Sequence, residues 1–132
     1  MHVTVCGAAA AECYSPTSPT WGVRIFYPEG TDRALRAYET PLARSANWTG
    51  ISTYRFDERG NGLDRDITLQ MLADFDQYGS PAKEVLVHCM LGGKRSQAVA
   101  RFFAKARPQF FDDAERAAIV NLMDYSRDCC VA

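Results

Sequence analysis

The sequence predicts an α/β fold: a single domain over residues 1–132 with a short, largely parallel central sheet flanked by helices. Three observations predict it. Short β-rich runs alternate with stretches of helical period, the pattern of βα units rather than of a sandwich. One run, Val85-Leu86-Val87, is apolar at consecutive positions, as a strand covered on both faces requires. A chain of 132 residues with 47% hydrophobic content normally makes one domain with a sizeable core.

In chain order, residues 3–6, 22–27, 51–56 and 84–88 are the expected strands, the last apolar enough to be central. Ile67, Met71, Phe75 and Tyr78 recur at helical spacing and are stopped by Gly79-Ser80-Pro81. A helical pattern begins at Ser96 and carries Ala98, Val99, Phe102, Phe103 and Ala106 until Pro108 ends it. Asp112 or Asp113 would cap a final helix carrying Ala118, Leu122 and Tyr125, and Asp66 would cap the Ile67 helix. The aromatic positions on these helices read as core. No repeat, low-complexity tract or linker interrupts the series.

Between the last strand and the helix that follows it lies the stretch His88-Cys89-Met90-Leu91-Gly92-Gly93-Lys94-Arg95-Ser96. Strand, turn and helix start together point successive backbone N–H groups at one anion, and the helix adds its positive dipole end at the same place. A phosphate fits such a cradle. The same donors, with a nearby arginine, stabilise a thiolate, so Cys89 reads as a nucleophile. Arg95 supplies a planar fork able to bind two phosphoryl oxygens, while Gly92 and Gly93 permit close approach or positive φ. A lone Cys-x5-Arg spacing is weak in a chain with five cysteines. The strand before, the two glycines within and the hydroxyl after make it specific.

With those residues in view, His88, Cys89, Arg95 and Ser96 form a His-Cys-x5-Arg-Ser pattern that resembles the signature of the cysteine-dependent protein tyrosine and dual-specificity phosphatase superfamily. A weaker likeness covers residues 21–28, 51–57 and 85–89, which resemble the strand order of small bacterial members. The resemblance implies Cys89 as nucleophile, and Arg95 with the amides of Met90, Leu91, Gly92, Gly93 and Lys94 as phosphate ligands. It further implies Ser96 as hydroxyl donor to the thiolate and His88 as a support of the loop. No tyrosine-recognition loop of larger relatives is recognisable, which leaves the site open to phosphoserine and phosphothreonine as well as phosphotyrosine. Lys94 would favour a second anionic group, or is simply a solvated charge.

Ester cleavage also needs a proton for the leaving oxygen. Asp57 ranks first, because it follows the third strand and opens the polar, glycine-containing segment Glu58-Arg59-Gly60-Asn61-Gly62, suited to a movable lid. Small dual-specificity phosphatases place their acid similarly. Glu58, Asp64 and Asp66 compete for the role. Chemistry of this kind needs no metal and no cofactor.

A net charge of −1, with acids and bases interspersed, gives no field that would draw nucleic acid or an anionic membrane. No apolar run approaches a membrane span, and the start Met1-His2-Val3-Thr4-Val5-Cys6 is too short and uncharged for a signal peptide. A reduced nucleophile and irregularly placed cysteines fit the cytoplasm better than a disulfide framework. Cys6 and Cys13 read as packing residues, and Cys129 or Cys130 as resolving thiols only if they approach Cys89. The expected partner is a phosphorylated protein or a small phosphoester. Two other readings are rhodanese-like sulfur transfer, opposed by Ser96 and the lid acid, and a non-catalytic phosphate-binding module. A Walker loop is excluded, since Gly93-Lys94 would require glycine at 88 and serine or threonine at 95, where His88 and Arg95 stand.

Overall fold

A computed structural model describes residues 1–29, 39–57 and 63–122. Four strands, β1 (His2–Gly7), β2 (Thr20–Phe26), β3 (Trp48–Arg55) and β4 (Glu84–Cys89), form one sheet in the order β1-β4-β2-β3, every pair parallel. The described helices are α1 (Ala8–Glu12), α2 (Arg65–Asp74), α3 (Lys94–Ala106) and α4 (Asp113–Val120). The predicted α/β class and parallel sheet are thus observed, with β4 central. Among the described residues no helix is long and apolar enough to cross a membrane.

Alternation sorts the strands onto two faces. Trp21, Val23 and Ile25 of β2 join Val85, Val87 and Cys89 of β4 in the main core, under α2, α3 and α4. The opposite face carries Leu86, packed with Ala11 of α1, Leu42 and Trp48. Both faces of β2 and β4 are covered, which is why their sequences are largely apolar, with Arg24 and His88 as the buried charged and titratable exceptions. The helices following the neighbours β1 and β4 leave on opposite faces, and such a divergence opens a crevice at the carboxyl ends of the strands. Gly7 and Cys89 face each other there in register.

Phe75 stacks edge-on with Trp21 at 5.7 Å, Phe103 at 5.4 Å and Phe110 at 5.1 Å between ring centroids, and is fully buried. We expect Phe75→Ala to lower unfolding free energy by about 3–5 kcal/mol, read by urea denaturation, because three rings cannot close together over the vacated volume.

Several boundaries differ from expectation for local reasons. Asp64, not Asp66, caps α2, its carboxylate accepting from Ile67 N–H at 2.8 Å; Asp66 lies in the first turn. The helix then widens into a π turn over Phe75–Gly79 before the predicted stop. α3 begins at Lys94, so Arg95 and Ser96 lie in its first turn, and Ala98 is exposed. Asp112 caps α4 through a reciprocal bond with Glu115, but Ile119 rather than Ala118 is the buried position. The short α1, built on an alanine run, went unpredicted. Cys13 is exposed rather than packed, whereas Cys6 packs against the second core cluster. Glu58, Tyr125, Cys129 and Cys130 lie outside the described residues.

Candidate active site

The loop after β4 is built against the end of β1. Gly92 has φ +73°, and a Cβ there would lie 2.6 Å from the Cys6 carbonyl carbon and 2.8 Å from the Gly7 nitrogen. On the other side of the contact, a Cβ on Gly7 would meet the Met90 oxygen at 3.0 Å. Two glycines therefore let the loop cross the first strand with no side chain between them.

Outward hydrogen bonds hold the loop carbonyls. His88 Nδ1 lies 3.3 Å from the Cys89 oxygen, Ala8 N–H donates to Met90 at 3.0 Å, and Gln97 Nε2 donates to Gly92 at 3.4 Å. The Gly93 carbonyl accepts from Gln97 N–H at 3.1 Å and from Ser96 Oγ at 3.3 Å. In a planar trans peptide the N–H points away from the preceding carbonyl, so the N–H groups of Met90, Leu91, Gly93 and Lys94 turn to the opposite side of the loop. That side can receive an anion.

Cys89 is almost wholly buried, and its Sγ lies 3.3 Å from Ser96 Oγ. In the thiol state the sulfur donates to Ser96, whose hydroxyl donates in turn to Gly93; a hydroxyl hydrogen rotates freely, so it can turn to a charged sulfur instead. Arg95, also buried, sets its guanidinium carbon 3.8 Å from the centre of the Tyr27 ring, just past the end of β2. Lys94 and Leu91 are exposed and Met90 half-buried on the crown of the loop.

His88 has no exposed surface, and its Nε2 accepts from Arg24 Nε at 2.9 Å. Nδ1 therefore carries the hydrogen and donates to Cys89. Arg24 continues from Nη2 to the Thr40 oxygen at 2.5 Å. Burial, reinforced by the charges of Arg24 and Arg95, pushes the imidazole pKa down to about 4 against the opposing pull of the Cys89 carbonyl. The unfolded chain takes up this proton near its ordinary value of 6.5, while the folded chain resists until about 4. Stability from this group is therefore complete above the unfolded value and lost as pH falls through the folded one, about 3 kcal/mol over the interval. We expect His88→Asn, which retains a donor toward Cys89, to flatten the decline of denaturation free energy between pH 7 and pH 4.

Asp57 emerges on the same edge. Phe56 N–H donates to the Phe26 oxygen at 3.2 Å, extending the β2–β3 pairing past the strand ends. Asp57, half-buried, thus stands two strands from Cys89, a lateral separation of about 10 Å. Arg55 clamps this corner, donating to both oxygens of Glu39 at 2.9 and 3.0 Å and to the Tyr27 carbonyl at 3.1 Å. Asp64 is engaged as a helix cap and Asp66 sits in the following turn, so among the described candidate acids Asp57 is the one that directly follows a strand of the sheet.

The residues that sequence reasoning missed are Gly7, Arg24, Tyr27 and Gln97. The signal for Arg24 was there: one arginine inside the apolar run Trp21-Gly22-Val23-Arg24-Ile25-Phe26 requires a buried partner. Cavities of about 320 and 330 Å³ flank α4, but no residue of the loop lines either. No family model, curated protein or solved structure matches the chain, so the geometry and chemistry of this loop alone carry the functional reading.

Proposed function

We propose that this protein is a cysteine-dependent phosphatase that hydrolyses phosphate monoesters, with phosphotyrosine or dual-specificity phosphoproteins as substrates. One observation carries the reading. A buried thiol sits 3.3 Å from a serine hydroxyl, at the mouth of a loop whose carbonyls are tied outward, with a buried arginine in the next helical turn.

Under this reading the Cys89 sulfur attacks phosphorus, forming an S–P bond as the ester P–O bond breaks, and Asp57 gives its proton to the departing oxygen. Water then attacks phosphorus, Asp57 takes the water proton, and the S–P bond breaks with its electrons returning to sulfur. Ser96 turns its O–H to that sulfur and makes it a better leaving group. Arg95 and the inward N–H groups bind the equatorial oxygens most tightly as charge develops on them, which is where most of the acceleration arises. A reduced nucleophile suits a cytoplasmic setting.

Metal-free hydrolysis of p-nitrophenyl phosphate, with vanadate as inhibitor and thiosulfate sulfur transfer measured alongside, tests the proposal. Vanadate-sensitive turnover lost in Cys89→Ser is expected. Sulfur transfer alone, or phosphate binding without turnover, would overturn it in favour of a sulfurtransferase or a binding module.

A further inference from the structure

We infer that Arg24 is a positioning residue for Cys89: it locks the imidazole of His88 in one tautomer and thereby fixes the first peptide of the anion cradle. The inference rests on Cys89 being the nucleophile. Arg24 lies on β2, with His88 opposite it in register on β4, and both side chains occupy the face away from the main core. Its guanidinium is held at two points, by the Thr40 carbonyl at Nη2 and by His88 at Nε. A planar group held at two points has one orientation. Because Nε–H can only donate, His88 Nε2 must accept, and the ring hydrogen is left on Nδ1 to meet the Cys89 carbonyl. That carbonyl then points toward the ring, and the Met90 N–H of the same peptide points away from it, to the cradle side. The Phe26 ring packs edge-on to His88 at 5.9 Å, and the Arg24 guanidinium lies 4.9 Å over the same ring. The network is buried, with Arg24 only 9% exposed and His88 0%. Removing Arg24 therefore leaves His88 Nε2 without its protein donor in a site where an unpaired polar group is costly.

The charged and titratable groups around this network are Arg24 and Tyr27 from β2 and its exit, Arg95 from α3, His88 from β4, Glu12 from α1 and Glu39, whose charges act on Arg24, and Arg55 from β3, 5.3 Å over the Phe26 ring. From β1, Cys6 packs with Leu86 on the face away from the Cys89 side chain. The chain has two histidines, at positions 2 and 88, so long-range ¹H–¹⁵N spectra of the whole protein, assigned with His2→Gln, read the His88 tautomer directly. In wild type we expect neutral His88 with its hydrogen on Nδ1; hydrogen on Nε2, or a doubly protonated ring at neutral pH, would overturn the inference without any mutation. In Arg24→Met the hydrogen redistributes between the two nitrogens. Iodoacetamide alkylation of Cys89 at pH 7, followed by peptide mass spectrometry, slows about tenfold as the thiolate loses a fixed donor. Arg24→Lys keeps the charge but cannot span Thr40 and His88 together, and should behave as Arg24→Met. A lysine variant with wild-type tautomer and alkylation would show that charge alone suffices and would sink the role. Neither readout requires turnover. An inactive wild type with an Arg24-dependent tautomer and thiol rate would therefore refute the phosphatase alone, and an active enzyme indifferent to Arg24→Met would refute Arg24 alone.

Discussion

Cys89→Ser is expected to abolish phosphate ester hydrolysis, lowering kcat by about four orders of magnitude or more, while leaving the protein folded and able to bind inorganic phosphate. The substitution exchanges one atom at a site that is 3% exposed, so packing against β1 and α3 barely changes. The loop carbonyls remain tied to His88, Ala8, Ser96 and Gln97, and the cradle persists. Under the proposed mechanism what disappears is the nucleophile, because a serine hydroxyl does not ionise at neutral pH and no described base stands beside it. Among the described residues, the side chain within hydrogen-bond range of this position is the Ser96 hydroxyl. Steady-state kinetics together with calorimetric titration of phosphate separate the two effects. Turnover within tenfold of wild type would refute the nucleophile, and loss of phosphate affinity together with turnover would mean that the loop had collapsed.

Arg95→Lys is expected to reduce kcat/KM by about 10²–10³-fold, with most of the loss in kcat. The guanidinium does two things that an ammonium cannot. Its guanidinium carbon lies 3.8 Å from the centre of the Tyr27 ring, and under the proposed mechanism its planar fork would match two phosphoryl oxygens. A lysine would bring a compact, strongly hydrated charge into a position only 4% exposed, with a single point of attachment. Because charge on the equatorial oxygens grows toward the transition state, the lost fork is felt more there than in substrate binding. Kinetics of Arg95→Lys beside Arg95→Met check this: if lysine restores the wild-type rate, a point charge suffices and the bidentate role is wrong.

Much of the architecture was legible from the chain. The two inner strands were readable because β2 and β4 are covered on both faces and therefore largely apolar, and the loop because a strand, two glycines and a helix start bracket the thiol. What escaped was decided by tertiary contact. Asp64 and Asp66 are equally good caps by composition, and the start of the helix at Arg65 selected the first. On α4, the helix rotates Ile119 into the core and leaves Ala118 exposed, a phase that spacing among alanines cannot specify. The importance of Gly7 was invisible because its contact lies on a segment far along the chain. Arg24 was visible as an anomaly, but its partner was not, since strand register alone brings it to His88.

The dependence of the loop on the first strand has a consequence for biosynthesis. Among the described residues β1 pairs only with β4, and the Thr4 hydroxyl donates to Glu84 across 80 positions of sequence. Parallel partners so far apart cannot be joined by a tight turn and must wait until most of the chain has been made. A nascent or partly folded chain in which β1 and β4 have not paired therefore lacks the loop's support against Cys6 and Gly7. If Cys89 is the nucleophile proposed above, its cradle is completed only when residues 2–7 and 84–92, far apart along the chain, come together.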